Sequence, residues 1–233
     1  MENNKQYSDS VRLACLLALV GGFLDAYTYI CRGKVFANAQ TGNMAMVGIS
    51  AMEGNINDMI KYSIPILAFT LGIIIVETIR SKVNNDKIHW RQMVLLVEIL
   101  LIVIVAFIPT GSFNYIVNTI VSLACALQVG AFRKFNGNPY ATTMCTGNLR
   151  SGTESLLNYF KKKDKKILKT AFQYYFIIFI FCLGAFIGGI ITVNFEEKAV
   201  LFTALPLLIS LMIMGKEYKK GYLWNSCNGF KSI

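Results

Sequence analysis

The sequence predicts an all-α membrane protein: six transmembrane helices in two inverted three-helix repeats, each repeat carrying a re-entrant half-helix that starts at Thr-Gly-Asn. Three observations lead there. The chain is 55% hydrophobic, with a mean hydropathy of +0.50 and only 15% charged residues, whereas a soluble domain carries roughly 25%. Thr-Gly-Asn followed by a short apolar stretch occurs twice, at Thr41 to Asn43 and at Thr146 to Asn148. Basic residues are distributed unevenly among the segments between apolar runs.

An apolar helix of about 20 residues crosses the roughly 30 Å hydrocarbon core. Six runs approach or exceed that length: 11–30, 60–79, 92–109, 115–132, 170–193 and 199–214. The first is preceded by the polar MENNKQYSDS, contains Asp25 and is followed by no small-residue cleavage signature, so it is expected to stay as a helix. After it, polar Asn38 to Gln40 lead through Thr41, Gly42 and Asn43 into the apolar Met44 to Met52. After the fourth run, Thr142 to Cys145 lead through Thr146, Gly147 and Asn148 into Leu149 to Leu157. Each body is long enough for a half-helix. Thr41 or Asn38, and Thr146 or Thr143, suit the N-cap, and Gly42 and Gly147 permit close backbone approach.

The chain has 23 Lys and Arg against 13 Asp and Glu, a net charge of +10. A nucleic-acid reader gathers its basic residues on a soluble face, but here they lie between apolar spans, so nucleic acid is not expected as a partner. The positive-inside rule accounts for them better. With six spans and both termini cytoplasmic, nineteen basic residues face the cytoplasm and four (Arg32, Lys34, Lys61, Lys198) face outside. Letting both Thr-Gly-Asn segments cross fully changes the division to fourteen against nine. Charge therefore favours segments that dip in and return on the same side. The run KKKDKKILK, Lys161 to Lys169, is expected to lie against anionic lipid headgroups, worth about 1 kcal/mol per residue near the surface.

Six cysteines are scattered without a CxxC pair, and His89 is the single histidine. Neither a disulfide framework nor a metal site is indicated, and no cofactor is expected. No phosphate-binding loop of the GxxxxGK[ST] type occurs.

Each half reads span, Thr-Gly-Asn segment, span, span, and Phe69 to Gly72 (FTLG) matches Phe181 to Gly184 (FCLG). Three crossings per repeat turn the second copy upside down relative to the first. Non-helical backbone at membrane depth must be buried in protein or line a wet cavity, so the polar leads should face inward. Two half-helix N-termini then converge, presenting unpaired N–H groups and positive dipole ends to an anion or a polar solute. On the other reading, Thr-Gly-Asn only turns the chain within a packed bundle.

Asp25 lies inside the first span, where an acid is costly unless protonated, paired or wet. Arg32 and Lys34, just beyond the same helix end, could neutralise it; a proton or substrate role is the alternative. Glu98 lies roughly 12 Å along the third span from Trp90 at about 1.5 Å per residue, and is the second candidate for ion coupling. Desolvation disfavours the charged form of such acids, which suits them to carry protons. Glu77 stands three residues before Arg80, the spacing of a helical ion pair. Arg150, one turn beyond Thr146, could hold an anionic ligand or simply pair with Glu154. Gln128 could bond across helices or to a solute. Gly184 and Gly188 form GxxxG, which allows close packing within the fold or in a homo-oligomer.

Gly21 to Tyr29 (GGFLDAYTY), Val35 to Asn43 (VFANAQTGN) and Ala141 to Leu149 (ATTMCTGNL) together resemble the YoaK family of bacterial inner-membrane proteins. The similarity covers nearly the whole chain. It implies an integral protein of the bacterial cytoplasmic membrane and supplies no substrate. Where family members carry a Gly-Leu-Gln-Asn-Ala-like stretch, this chain has Ala126, Leu127, Gln128, Val129, Gly130 and Ala131, with Val129 replacing the amide.

The expected function is a small secondary transporter for a small polar or anionic solute, proton-coupled through Asp25 and Glu98. The solute is held between Asn38, Gln40, Thr41, Gly42, Asn43, Thr142, Thr143, Thr146, Gly147, Asn148, Gln128 and Arg150. The alternative is a passive channel-like protein or a non-transporting scaffold. An enzyme is not expected, since an intramembrane hydrolase needs two membrane aspartates, a serine with a buried histidine, or a metal cluster.

Overall fold

A computed structural model describes residues 10–82, 89–143 and 145–215. Lys5, Lys87 and the lysines after residue 215, counted above for topology, lie outside the described residues, as do Cys227 and the His89 side chain. The chain folds into α1 (Val11–Cys31), α2 (Gln40–Met52), α3 (Ile56–Lys82), α4 (His89–Val105), α5 (Asn114–Ala131), α6 (Cys145–Lys162) and α7 (Lys165–Phe195). A 3-10 segment (Glu196–Thr203) and helix α8 over residues 204–215 follow. Between α5 and α6, β1 (Lys134–Phe135) and β2 (Asn138–Pro139) pair antiparallel.

Among the described residues, four helical stretches are long and apolar enough to cross a membrane: Val11–Cys31, Ile56–Lys82, Asn114–Ala131 and Lys165–Gly215. The expected span 92–109 falls on α4, which has 17 residues. The last two expected spans both fall within Lys165–Gly215, and the α-helix breaks between them at Glu196, whose φ is 48°. The outer faces are strongly apolar. Leu67, Leu71 and Ile74 of α3 and Phe172, Phe179 and Phe186 of α7 are all exposed, a surface that water would not tolerate and lipid covers. The architecture is an all-α membrane protein.

The packing is organised around two helix pairs, α1 on α7 and α3 on α5. Small residues permit both. A Cβ on Gly22 would run into the Phe181 carbonyl oxygen, and one on Gly184 into that of Leu19. A Cβ on Gly72 would lie 2.6 Å from that of Ala126 and 3.0 Å from the Leu123 carbonyl oxygen. Within each pair the helices run parallel: Leu19 meets Gly184 and Phe23 meets Gly188, while Ala126 meets Gly72 and Gly130 meets Val76.

α1 and α5, in contrast, run antiparallel. Gln128, near the end of α5, donates to the Leu17 carbonyl early in α1 at 3.3 Å. Asn118, near the start of α5, donates to the carbonyl of Arg32 just past α1 at 2.9 Å. The segments that follow α1 and α5 therefore leave from opposite ends of the bundle. Further contacts come in matching sets: α2 on α3 and α6 on α7, then α4 on α5 and the 3-10 segment on α1.

The two short helices differ in length. α2 has 13 residues and stops before Gly54, which adopts φ 67° and closes the helix as glycine does at such ends. α6 continues for 18 residues to the reversal at Lys163, longer than the expected half-helix, because after Gly152 the segment TESLLNYFKK contains no helix breaker.

Candidate functional site

Asp25 is buried on α1 and accepts the backbone N–H of Asn38 at 2.7 Å, with the N–H groups of Ala37 and Ala39 also turned toward it. Ala39 occupies the position before α2 and its methyl group cannot cap the helix. An acid from the preceding helix instead holds the backbone just ahead of α2, and its negative charge suits the positive end of the helix dipole. The sequence suggested Arg32 or Lys34 as its partner, but neither is. Arg32 is fully buried and turns away, donating through Nε to the Tyr27 hydroxyl and through Nη2 to the Ile108 carbonyl, both at 2.9 Å. The carbonyl-rich end of α4 draws the guanidinium there. The Lys34 amine lies over the Tyr29 ring, 4.8 Å from its centroid.

Both Thr-Gly-Asn asparagines perform the same task. Asn43 accepts the Phe36 N–H at 3.2 Å and donates to the Phe36 carbonyl at 2.7 Å. Asn148 accepts the Ala141 N–H at 3.3 Å and donates to the Ala141 carbonyl at 2.8 Å. Each side-chain amide thus clamps the backbone seven residues upstream, closing its own loop. Thr41 and Thr146, considered as N-caps, lie instead inside the first turns of α2 and α6.

The two loops meet at a cavity of about 500 Å³. Four pairs of corresponding residues line it: Asn38 with Thr143, Gln40 with Cys145, Thr41 with Thr146, and Phe69 with Phe181. Gly147 also reaches it. The rest of the wall comes from α1 and its loop, through Asp25, Tyr29, Ile30 and Phe36, with Ala26 and Ala185 beside them. Two polar atoms of these lining residues, Asn38 Oδ1 and Thr143 Oγ1, have no hydrogen-bond partner and are buried behind the wall, on side chains that are 3% and 4% exposed.

Other candidate residues do not line the cavity. Gly42 packs under the Phe36 ring, and Asn43 and Asn148 are committed to their clamps. Thr142 is buried with an unpaired hydroxyl, Gln128 bonds to α1, and Arg150 is exposed and paired with Glu154 at 2.8 Å. Glu77 lies 3.8 Å from Arg80, as its spacing suggested, and is also met by Arg133 at the end of α5.

Glu98 is fully buried on α4, and neither carboxyl oxygen has a partner among the described residues. Cys125 of α5 lies within electrostatic reach of both Glu98 and Asp25, with its thiol beside the Asn38 side chain. The aromatic walls, Tyr29, Phe36, Phe69 and Phe181, were not anticipated as site residues. In the sequence Phe69 and Phe181 stood in the match between FTLG and FCLG, and Tyr29 and Phe36 in the motifs that carry the family resemblance. Among the described residues, no group of three or more His, Cys, Asp or Glu could hold a metal ion.

Residues 13–213 match the family described as "Protein of unknown function (DUF1275)". The chain belongs to this family. A DUF1275 relative, the UPF0700 transmembrane protein YoaK of Bacillus subtilis (strain 168), is 24% identical over 214 residues, covering 88% of this chain and 93% of that protein. No solved structure matches. With the apolar helices described above, this DUF1275 chain is a multi-pass membrane protein, and the family resemblance carried by GGFLDAYTY and the two Thr-Gly-Asn segments holds across nearly its full length.

Proposed function

We propose that the protein is a small secondary transporter of the bacterial cytoplasmic membrane, moving a small polar solute with coupling to protons. One observation carries this reading. Two repeated segments, leaving from opposite ends of the antiparallel α1 and α5, line one cavity together with a buried acid. Alternating access around a central site requires that arrangement, and inverted repeats produce it.

In this reading the chain crosses the membrane six times, with α4 and α8 among the spans, and α2 and α6 dip in from opposite faces. Both termini are cytoplasmic, and the lysines of the α6 to α7 connection lie against anionic headgroups. Asp25 takes the proton at the cavity and Glu98 holds one behind it. Because Arg150 lies outside the cavity, a polar solute is favoured over one bound by a fixed cation. The assignment as a transporter and not an enzyme rests on the same cavity and on its two repeated segments.

A passive pore or scaffold is the second reading, favoured by the Asn43 and Asn148 clamps that fix both loops. The test uses proteoliposomes loaded with a pH-sensitive dye, to which small metabolites are added one at a time. The expected result is saturable proton movement with at least one solute, abolished by Asp25→Asn and by Glu98→Gln in protein that remains folded. Flux that neither saturates nor follows the proton gradient, and is the same in both variants, selects the pore.

A further inference from the structure

The two short helices leave the cavity with different faces turned outward. Thr146 and Gly147 open α6 at the cavity wall, both exposed, and a Cβ on Gly147 would meet no atom within 4 Å. Arg150, Thr153, Glu154 and Asn158 follow on the exposed side of the helix, interrupted by Leu149 and Leu157. The four-residue steps from Thr146 through Arg150 and Glu154 to Asn158 set these side chains on successive turns. A polar stripe therefore runs from the cavity to the far end of α6, where Lys161 and Lys162 lie.

On α2 the corresponding positions are apolar. Where α6 has Arg150, Thr153 and Glu154, α2 has Ala45, Gly48 and Ile49, and these are exposed as well. Lipid can cover that face of α2 but not the same face of α6. The Arg150 side chain is 80% exposed, and Glu154 takes only its Nε–H, at 2.8 Å, whereas a guanidinium carries five N–H donors. The Tyr175 hydroxyl of α7 meets the Thr153 hydroxyl at 3.0 Å and adds a further polar group to the stripe. At about 1.5 Å per residue, Arg150 and Glu154 stand roughly 8 and 14 Å from the start of α6. For a helix that starts at the membrane midplane, both are within the hydrocarbon half-thickness of about 15 Å.

Building on the re-entrant transporter reading above, we infer that the exposed face of α6 lines a water-filled approach joining the cavity to the cytoplasm, by which the solute reaches its site. Charged side chains at membrane depth face protein or a water-filled space, and water supplies the acceptors that the Arg150 guanidinium does not find in Glu154. The outward face of α2 lies against lipid. The two repeats, alike in their asparagine clamps, thus differ in access: the cavity is wet on the α6 side and dry on the α2 side.

The test is thiol labelling of the full-length protein, in a background without the six native cysteines, with a charged, membrane-impermeant methanethiosulfonate applied to intact cells and to inside-out vesicles. Thr146→Cys and Thr153→Cys should react from the cytoplasmic side at least tenfold faster than Gly48→Cys and Ile49→Cys react from either side. Giving α6 the α2 residues, through Arg150→Ala with Glu154→Ile, should slow the reaction of Thr146→Cys at least fivefold. The melting temperature should stay unchanged, since an exposed ion pair adds little to stability. The inference is overturned if Thr146→Cys and Thr153→Cys stay unlabelled from the cytoplasmic side, as under lipid or a second copy of the chain. It is equally overturned if Gly48→Cys and Ile49→Cys label as fast, or if the double exchange leaves the rate unchanged. The labelling needs no solute, so its outcome is separate from transport. Labelling as expected with no flux in proteoliposomes removes the transporter and keeps the approach; flux with an unlabelled α6 does the reverse.

Discussion

The Asp25 carboxylate accepts the Asn38 backbone N–H at 2.7 Å, so an acid within the first helix holds the start of the helix that follows it. One side chain therefore both holds the lead into α2 and forms part of the cavity wall.

Its two roles separate under substitution. Asp25→Asn keeps an accepting oxygen and should lower stability only modestly. Asp25→Leu leaves the N–H groups at the start of α2 unmatched and should cost about 1–3 kcal/mol. Melting temperatures of the two variants in detergent check the difference; equal losses would mean that the bond contributes little.

Asn43→Ala and Asn148→Ala should behave alike, since each removes one two-bond clamp. A loss of about 1–3 kcal/mol is expected for each. Thermal melting of both variants is the measurement, and a large effect at only one position would show that the loops are not held in the same way.

Gly22→Ala and Gly184→Ala should destabilise by about 1–3 kcal/mol, because the added methyl meets backbone of the partner helix, which cannot swing aside. Gly48→Ala meets no atom within 4 Å, lies inside α2 and should stabilise by roughly 0.5–1 kcal/mol. Opposite signs in the same melting assay are the expected outcome.

Opposed loops make a labelling prediction. In a background without the six native cysteines, Glu53→Cys should react with a membrane-impermeant maleimide on intact cells, and Lys162→Cys only after permeabilisation. Reaction of both from one side would end the inverted-repeat reading.

How much of this was legible beforehand depended on the kind of force involved. Apolar runs show in the sequence because burial in lipid selects composition, so α1, α3, α5 and α7 were all anticipated. The buried acid was noticed for the same reason, as an exception to its surroundings. Its partner was not, because Asp25 is matched by backbone N–H groups, which every residue except proline carries and which leave no compositional mark. The asparagine clamps escaped notice likewise, since they join a side chain to a main chain seven residues away, a spacing that matches neither helical nor strand periodicity. Arg32 was expected at the surface because arginine usually lies there; the carbonyl-rich end of α4 that buries it becomes adjacent only on folding.

Each clamp closes inside its own loop, so neither asparagine draws its partner from the other half. A chain of half this length would already carry what its loop requires. In such an ancestor the contact of α1 with α7 would have joined two separate molecules lying head to tail, and fusing their genes would have made a dimer permanent while freeing each copy to diverge.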